Sequence, residues 1–276
     1  MPTGVVDCSP SPPERQTPAV AVPPPCDPTL LDDAVALARA AGDLTLPWFR
    51  SATLGVETKA DGTPVTAADR AAEAHVRTWL AEHHPDDAIL GEEEGESPGT
   101  SGRRWIVDPI DGTKAFTRGV PLFTTLLAVE DEHGIVAGVI HVPALQETVW
   151  AGRGRGCWCN GEPARVSDHA YRGACLTTSG FDYWPEAPLR AVHEAPILMR
   201  TWGDGYGYVL VATGRAEAMV DPIAAPYDLA PMPVILAEAG GRFTDWAGAE
   251  RFDGGNGLAS NGAVHDDVLA LLNPGS

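Results

Sequence analysis

"WIVDPIDGTKAF", Trp105 to Phe116, decides the reading of this chain. It begins as an apolar strand and runs into two aspartates, Asp108 and Asp111, set around Pro109 and Ile110. Gly112 and Thr113 follow at once and can open a turn or short helix whose free backbone amides form a site for an anion. Acids are repelled by one another and by apolar surroundings, so a strand that ends in two of them needs a cation to hold them there. Other acids occur at comparable places. Glu92, Glu93 and Glu94 end the preceding strand, "AILGEEEG", and Asp228 opens a later helix. A ligand set rich in oxygen and poor in nitrogen and sulfur suits Mg²⁺ or Mn²⁺. With a phosphate site beside it, the combination points to metal-assisted transfer of a phosphoryl group to water. On spacing alone, a solvated acidic loop competes with this reading.

The 276 residues allow one large domain or two small ones. The formal net charge of -19 argues against a nucleic-acid backbone or an anionic membrane as partner. An anionic substrate stays open, because bound divalent cations reverse the local sign. No run of 18 apolar residues occurs and no secretory pattern opens the chain, so a cytoplasmic location is expected. The five cysteines have no zinc spacing, and Cys157 and Cys159 in "GRGCWCNGEP" read as packing residues of a hairpin. Nucleophile-elbow, Walker A and zinc-protease motifs are absent. There are 17 arginines but only two lysines, Lys59 and Lys114. A compact ammonium differs from a planar fork, so a tight pocket at either lysine is one reading, and chance retention is the competing one.

Residues 1–28 hold nine prolines and are expected to be a disordered tail outside the fold. Residues 29–150 read as an α+β half. "TLLDDAVALARAAGDL" has helical spacing, and Thr66 can cap a helix over 67–83. "LFTTLLAVED", "GIVAGVIHVP" and "ETVWAGRG" make an antiparallel meander. Residues 151–276 alternate strands and helices as an α/β half. "YDLAPMPVILAEAGG" reads there as one helix closed by Gly240-Gly241.

"GEEEG", "WIVDPIDGTKAF" and "YDLAPMPVILAEAGG", in that order, resemble the three signature blocks of the inositol monophosphatase superfamily. "KADGTPVTAADRAAE" resembles its N-terminal block. The resemblance implies a layered αβαβα sandwich, a homodimer and two or three Mg²⁺ ions per site, with Mn²⁺ as a substitute. It makes Glu92, Asp108, Asp111, Asp228 and the Ile110 carbonyl the metal ligands. Gly112 and Thr113 become the phosphate amides, and Thr113, Asp69 and Glu92 the groups that align and deprotonate the attacking water. The family usually has Trp-Asp where this chain has Tyr227-Asp228. A non-catalytic scaffold would need one of these groups to be lost, and each is present.

"DGTK-x-F" occurs in two branches of that superfamily, the histidinol-phosphate phosphatases and the phosphatases of 3'-phosphoadenosine nucleotides. "GVPLFTTLLAV" and "RTWGDGYGYVLVATGRAEAMVDP" resemble the first. Asp204 and Asp221 fall where the family contacts the rest of the substrate, and two carboxylates suit an amine or an imidazolium. A helix cap is the competing role for Asp204. The span between "TTSG" and "RTWGD", with Pro185, Pro188 and Pro196, is short where that branch carries a longer helical insert. A nucleoside 5'-monophosphate, an amino-sugar phosphate or a cyclitol phosphate is therefore the alternative substrate.

Overall fold

The computed structural model describes residues 22–52, 54–58 and 64–275. Residues 1–21, with Cys8, and residues 59–63, with Lys59, lie outside the described residues. The first half contains α1 (Pro28–Thr45), the strand pair β1 (Val56–Thr58) and β2 (Pro64–Thr66), and α2 (Ala67–His83). After these come β3 (Ala88–Gly91), β4 (Gly95–Ser97), β5 (Arg104–Asp111) and the short α3 (Thr113–Thr117). β6 (Thr124–Asp131), β7 (Gly134–Val142), β8 (Glu147–Gly152), β9 (Cys157–Cys159) and β10 (Glu162–Pro163) follow. The second half contains β11 (Cys175–Thr178), α4 (Glu186–Glu194), β12 (Leu198–Arg200), α5 (Asp204–Ala212) and β13 (Ala218–Asp221). It continues with α6 (Pro226–Leu229), α7 (Met232–Ala239), β14 (Arg242–Thr244), β15 (Gly257–Ser260) and α8 (His265–Leu272).

The strands form two large sheets, of order β10-β9-β8-β7-β6-β5-β3-β4 and β12-β11-β13-β15-β14. Alternation along the strands sorts the side chains into layers. Trp105, Val107, Leu127, Val129, Ala137 and Val139 pack on α1 and α2. Leu126, Ile140 and Val142 face the other way, onto α5 and α7, which also meet Met219, Phe243 and Ala259 of the second sheet. The far face of that sheet, with Leu176, Ala218, Val220 and Leu258, is covered by Val192 of α4 and Val268 and Leu272 of α8. The order is helices, sheet, helices, sheet, helices, as the resemblance implies.

Three expectations are corrected. Order begins before residue 29. Cys26 is fully buried against α1 and the first sheet, its amide donates to the Arg153 carbonyl at 2.8 Å, and Arg155 Nε donates to its carbonyl. Asp27 caps α1 by accepting from the Thr29 amide at 2.8 Å. The first sheet also runs past the expected boundary at 150, through β8 and the hairpin β9–β10. The single helix expected over 227–241 is two, α6 and α7. Pro231 and Pro233 bring no N–H donor to the helical ladder, and the break falls at Ala230-Pro231. The short segment after "TTSG" does hold a helix, α4.

Thr66 caps α2 as expected, in a full capping box with Asp69. Among the described residues, no helix is long and apolar enough to cross a membrane. A chain starting at Pro28 should be less stable than one starting at Val22. Loss of the cap costs about 1 kcal/mol, and exposure of the site filled by Cys26 about 1 kcal/mol more. Equal denaturant midpoints for the two truncations would contradict this packing.

Candidate active site

β3 and β5 run parallel, and their C-terminal ends meet. The Glu92 amide extends the pairing by donating to the Val107 carbonyl at 3.2 Å, and this sets Glu92 beside Asp108. Past Asp108 the pairing of β5 with β6 shifts register. Pro109 lies within this irregularity. Asp108 Oδ1 accepts the Ile110 amide at 3.0 Å, and Thr125 Oγ1 donates to the Pro109 carbonyl at 2.8 Å. Ile110 buries its side chain with Ala68, Phe116 and Phe123, while its carbonyl accepts from Thr113 Oγ1 at 3.1 Å. Gly112, at φ 82°, turns the chain into α3 through the left-handed region that glycine enters at no steric cost.

The second half completes the cleft. Asp228, in the first turn of α6, accepts the Ala225 amide at 2.7 Å. Oxygens of Asp108, Asp111 and Asp228 all lie within 4.8 Å of one another. Asp111 is held by Thr124 Oγ1 at 2.7 Å and by the Gly205 amide of α5. Asp204 is not a helix cap. The N-cap position of α5 is Gly203, and Asp204 follows it in the first turn at φ 52°. Ser179 Oγ donates to Asp221 and accepts the Asp204 amide at 3.0 Å, and Tyr208 donates to Asp221 at 2.8 Å. Glu92, Asp108, Asp111, Gly112, Thr113, Asp204, Asp221 and Asp228 thus line one cleft of about 550 Å³.

The electrostatics follow from this crowding. Burial, then the neighbouring Glu92, Asp111 and Asp228, push the Asp108 carboxyl well above the usual range. Burial, then Asp204 and Asp228, do the same for Asp111. Asp228 is pushed up to about 6 and Asp221 to about 7, each chiefly by burial. Asp204 is raised by burial and opposed by Ser179 and Lys114. Such acids ionise together only when positive charge is supplied. The donors of the acidic cluster are all oxygen, which fits a hard divalent cation. A larger cleft, about 770 Å³, carries Arg104, Arg153, Arg242 and Arg251. Each is paired with an acid, Glu130, Asp131, Asp266 and Asp253 respectively, so it offers no comparable unbalanced charge.

Asp69 stands apart from the cleft lining. It is fully buried at the start of α2, and its Oδ2 accepts from both the amide and the hydroxyl of Thr66. Its Oδ1 has no hydrogen-bond partner, and burial raises its pKa. An unpartnered buried carboxylate oxygen fits a water or cation close by. Lys114 is exposed on α3, with Nζ 4.7 Å from the centre of the Tyr183 ring and against its hydroxyl. Sequence reasoning missed Thr124, Ser179, Tyr208 and Glu73, because hydroxyls and a helical glutamate carry no motif of their own. Glu73 stands four residues after Asp69, so helical spacing alone could have found it.

The inositol monophosphatase family model matches residues 28–273. The histidinol-phosphatase of Chlorobaculum parvum is 43% identical over 248 residues, 88% of this chain and 96% of that one. That of Mycobacterium tuberculosis is 42% identical over 252 residues, 88% of this chain and 97% of that one. Among solved structures, the Thermotoga maritima IMPase superposes with a TM-score of 0.80 at 34% identity, covering 89% of this chain and 97% of that one. The extragenic suppressor protein SuhB of Bartonella henselae gives 0.83 at 30%, covering 90% and 100%. Sequence, layer order and an acidic cleft at the ends of β3 and β5 agree over nearly the whole length: the chain belongs to the inositol monophosphatase family and is a phosphoric monoester hydrolase.

Proposed function

We propose that this chain hydrolyses histidinol phosphate to histidinol with Mg²⁺, as a cytoplasmic homodimer. The observation that carries the substrate is the pair Asp204 and Asp221, which the second half brings to the same cleft, Asp221 buried and Asp204 half-buried next to Asp111. Each carboxyl is raised by burial, so a bound cation repays its ionisation. A substrate with an amine and an imidazole supplies such charge, and a neutral polyol does not. The identity of 42–43% to two histidinol-phosphatases supports the same choice.

Glu92, Asp108, Asp111, Asp228 and the Ile110 carbonyl would hold Mg²⁺, with Mn²⁺ as a substitute. Bound there, the metal supplies Lewis-acid charge for the phosphate oxygens, the attacking water and the departing alkoxide. Gly112 and Thr113 offer amides at the start of α3 to the phosphate. Thr113 spends its proton on the Ile110 carbonyl, which leaves its oxygen free to accept from a water and aim it. Asp69, with one carboxylate oxygen unpartnered, receives the proton. The water oxygen forms the new P–O bond as the ester P–O bond breaks; the leaving alkoxide takes its proton from solvent water, and Asp69 returns the proton it received to solvent.

Asp108→Asn keeps the acceptor for the Ile110 amide and removes a buried charge. Turnover should fall more than about 100-fold, while the metal-free melting temperature holds or rises. Near-normal Mg²⁺-dependent release of phosphate by this variant would defeat the assignment. Phosphate release from histidinol phosphate, inositol 1-phosphate, 3'-phosphoadenosine 5'-phosphate, AMP and glucosamine phosphate tests the substrate. Histidinol phosphate should give the highest kcat/KM, and a preference for AMP would overturn the choice.

A second prediction concerns pH. The cleft carboxyls are raised in the folded chain, so between about pH 4 and pH 7 the native state holds protons that the unfolded chain has released. Metal-free stability therefore falls as pH rises through that window. Mg²⁺ takes the place of those protons, so its stabilising shift in Tm should be larger at pH 7.5 than at pH 5.5. Equal shifts would contradict the coupling.

A further inference from the structure

Asp69, Glu73 and Arg77 recur every fourth residue along α2 and so share one face. Glu73 is fully buried, yet its carboxylate is completely engaged. Oε2 accepts the Glu93 amide at 2.7 Å, and Oε1 accepts the Glu94 amide at 3.0 Å and Arg77 Nε at 2.9 Å. Arg77 is the other half of the device. Its Nη2 donates to the Gly95 carbonyl at 2.6 Å and its Nη1 to Ser97 Oγ at 2.9 Å. Helix α2 thus grips both sides of the turn between β3 and β4, and that turn begins with Glu92.

The fit is close. A Cβ on Gly91 would stand 2.1 Å from Glu73 Oε1, so the residue before Glu92 has no side chain because the carboxylate occupies that space. The backbone of Glu92 is consequently fixed from two directions. Its own amide is tied to the Val107 carbonyl of β5, and the next two amides are tied to Glu73. A buried ion pair is rarely more stabilising than apolar residues of the same volume, so what Glu73 contributes is the acceptor for the two turn amides, and with it a fixed path for the backbone that leads out of Glu92.

We infer that Glu73, backed by Arg77, is a positioning residue that sets the Glu92 carboxylate against Asp108 for cation binding. This rests on the reading of the cleft as a metal site. Glutamine at position 73 keeps the volume, but it turns an NH₂ donor toward one of the two amides, so the turn must shift.

The test is Mn²⁺ binding, followed by electron paramagnetic resonance of free Mn²⁺, on the full chain at a temperature where circular dichroism shows each variant folded. Glu73→Gln should raise the Mn²⁺ dissociation constant about 10- to 100-fold. The half-saturating Mg²⁺ concentration for turnover should rise by more than kcat falls. A merely structural glutamate would lower Tm and leave the dissociation constant of the folded variant unchanged, and that result overturns the inference. If Glu73→Gln does not fold, Arg77→Met decides by the same readout. It leaves the carboxylate without its clamp, and an unchanged dissociation constant again counts against the inference. If the unaltered chain itself binds no Mn²⁺, the reading of the whole cleft falls, an outcome distinct from equal binding by chain and variant.

Discussion

Repulsion among Asp108, Asp111 and Asp228 is the constraint that the rest of this molecule contains. Three carboxylates with oxygens inside 4.8 Å of one another, in a cleft with Glu92 and Asp204 beside them, oppose the collapse that brings them together. Among the described residues, the cations that line that cleft are Lys114 and Arg118, both exposed. The fold accepts the cost because each acid is tied to backbone or hydroxyl donors that leave part of its carboxylate facing the cleft. The Ile110, Gly205 and Ala225 amides and the Thr124 hydroxyl have this role. Such bonds favour the charged form, and they fix each oxygen so that a cation meets a prepared shell.

Rigid layers make that possible. The ends of β3 and β5 can hold charge at a fixed spacing because both strands are locked beneath α1 and α2, β3 by Ile89 and β5 by Trp105 and Val107, with Leu127 and Val129 of β6 beside them. The α6 segment that brings Asp228 is anchored by Leu229, fully buried among the residues of α5 and α7. Strain collects where the layers meet. Asp204 holds a left-handed backbone, uncommon outside glycine, at the point where the second half touches the first.

Much of this was legible in sequence, for identifiable reasons. Period-two alternation in "TTLLAVED" and helical spacing in α1 and α2 report local burial, which one sequence carries. The strand-turn-glycine pattern of "WIVDPIDGT" announces its acids because they break an apolar run. The errors came where distant packing overrides local composition. "VPPPCDP" reads as a tail by its prolines, yet Cys26 is drawn into the core beside Gly152. Glu73 carries no motif in sequence, and only the approach of the β3–β4 turn buries it beside Arg77.

The two ends of the cleft come from different parts of the fold. Glu92, Asp108, Asp111 and the amides of α3 belong to the first half, and only Asp228 crosses over to join them. Asp204, Asp221, Ser179 and Tyr208 belong wholly to the second. The ends touch through glycines: a Cβ on Gly205 would lie 2.2 Å from Thr124 Oγ1 and 2.8 Å from Asp111 Oδ2, and one on Gly112 would lie 3.0 Å from Asp204 Oδ2. A side chain at either glycine would wedge Asp204 and its helix away from Asp111 and the start of α3. The acidic cleft is therefore built at a seam, and its geometry depends on how closely the two halves pack there.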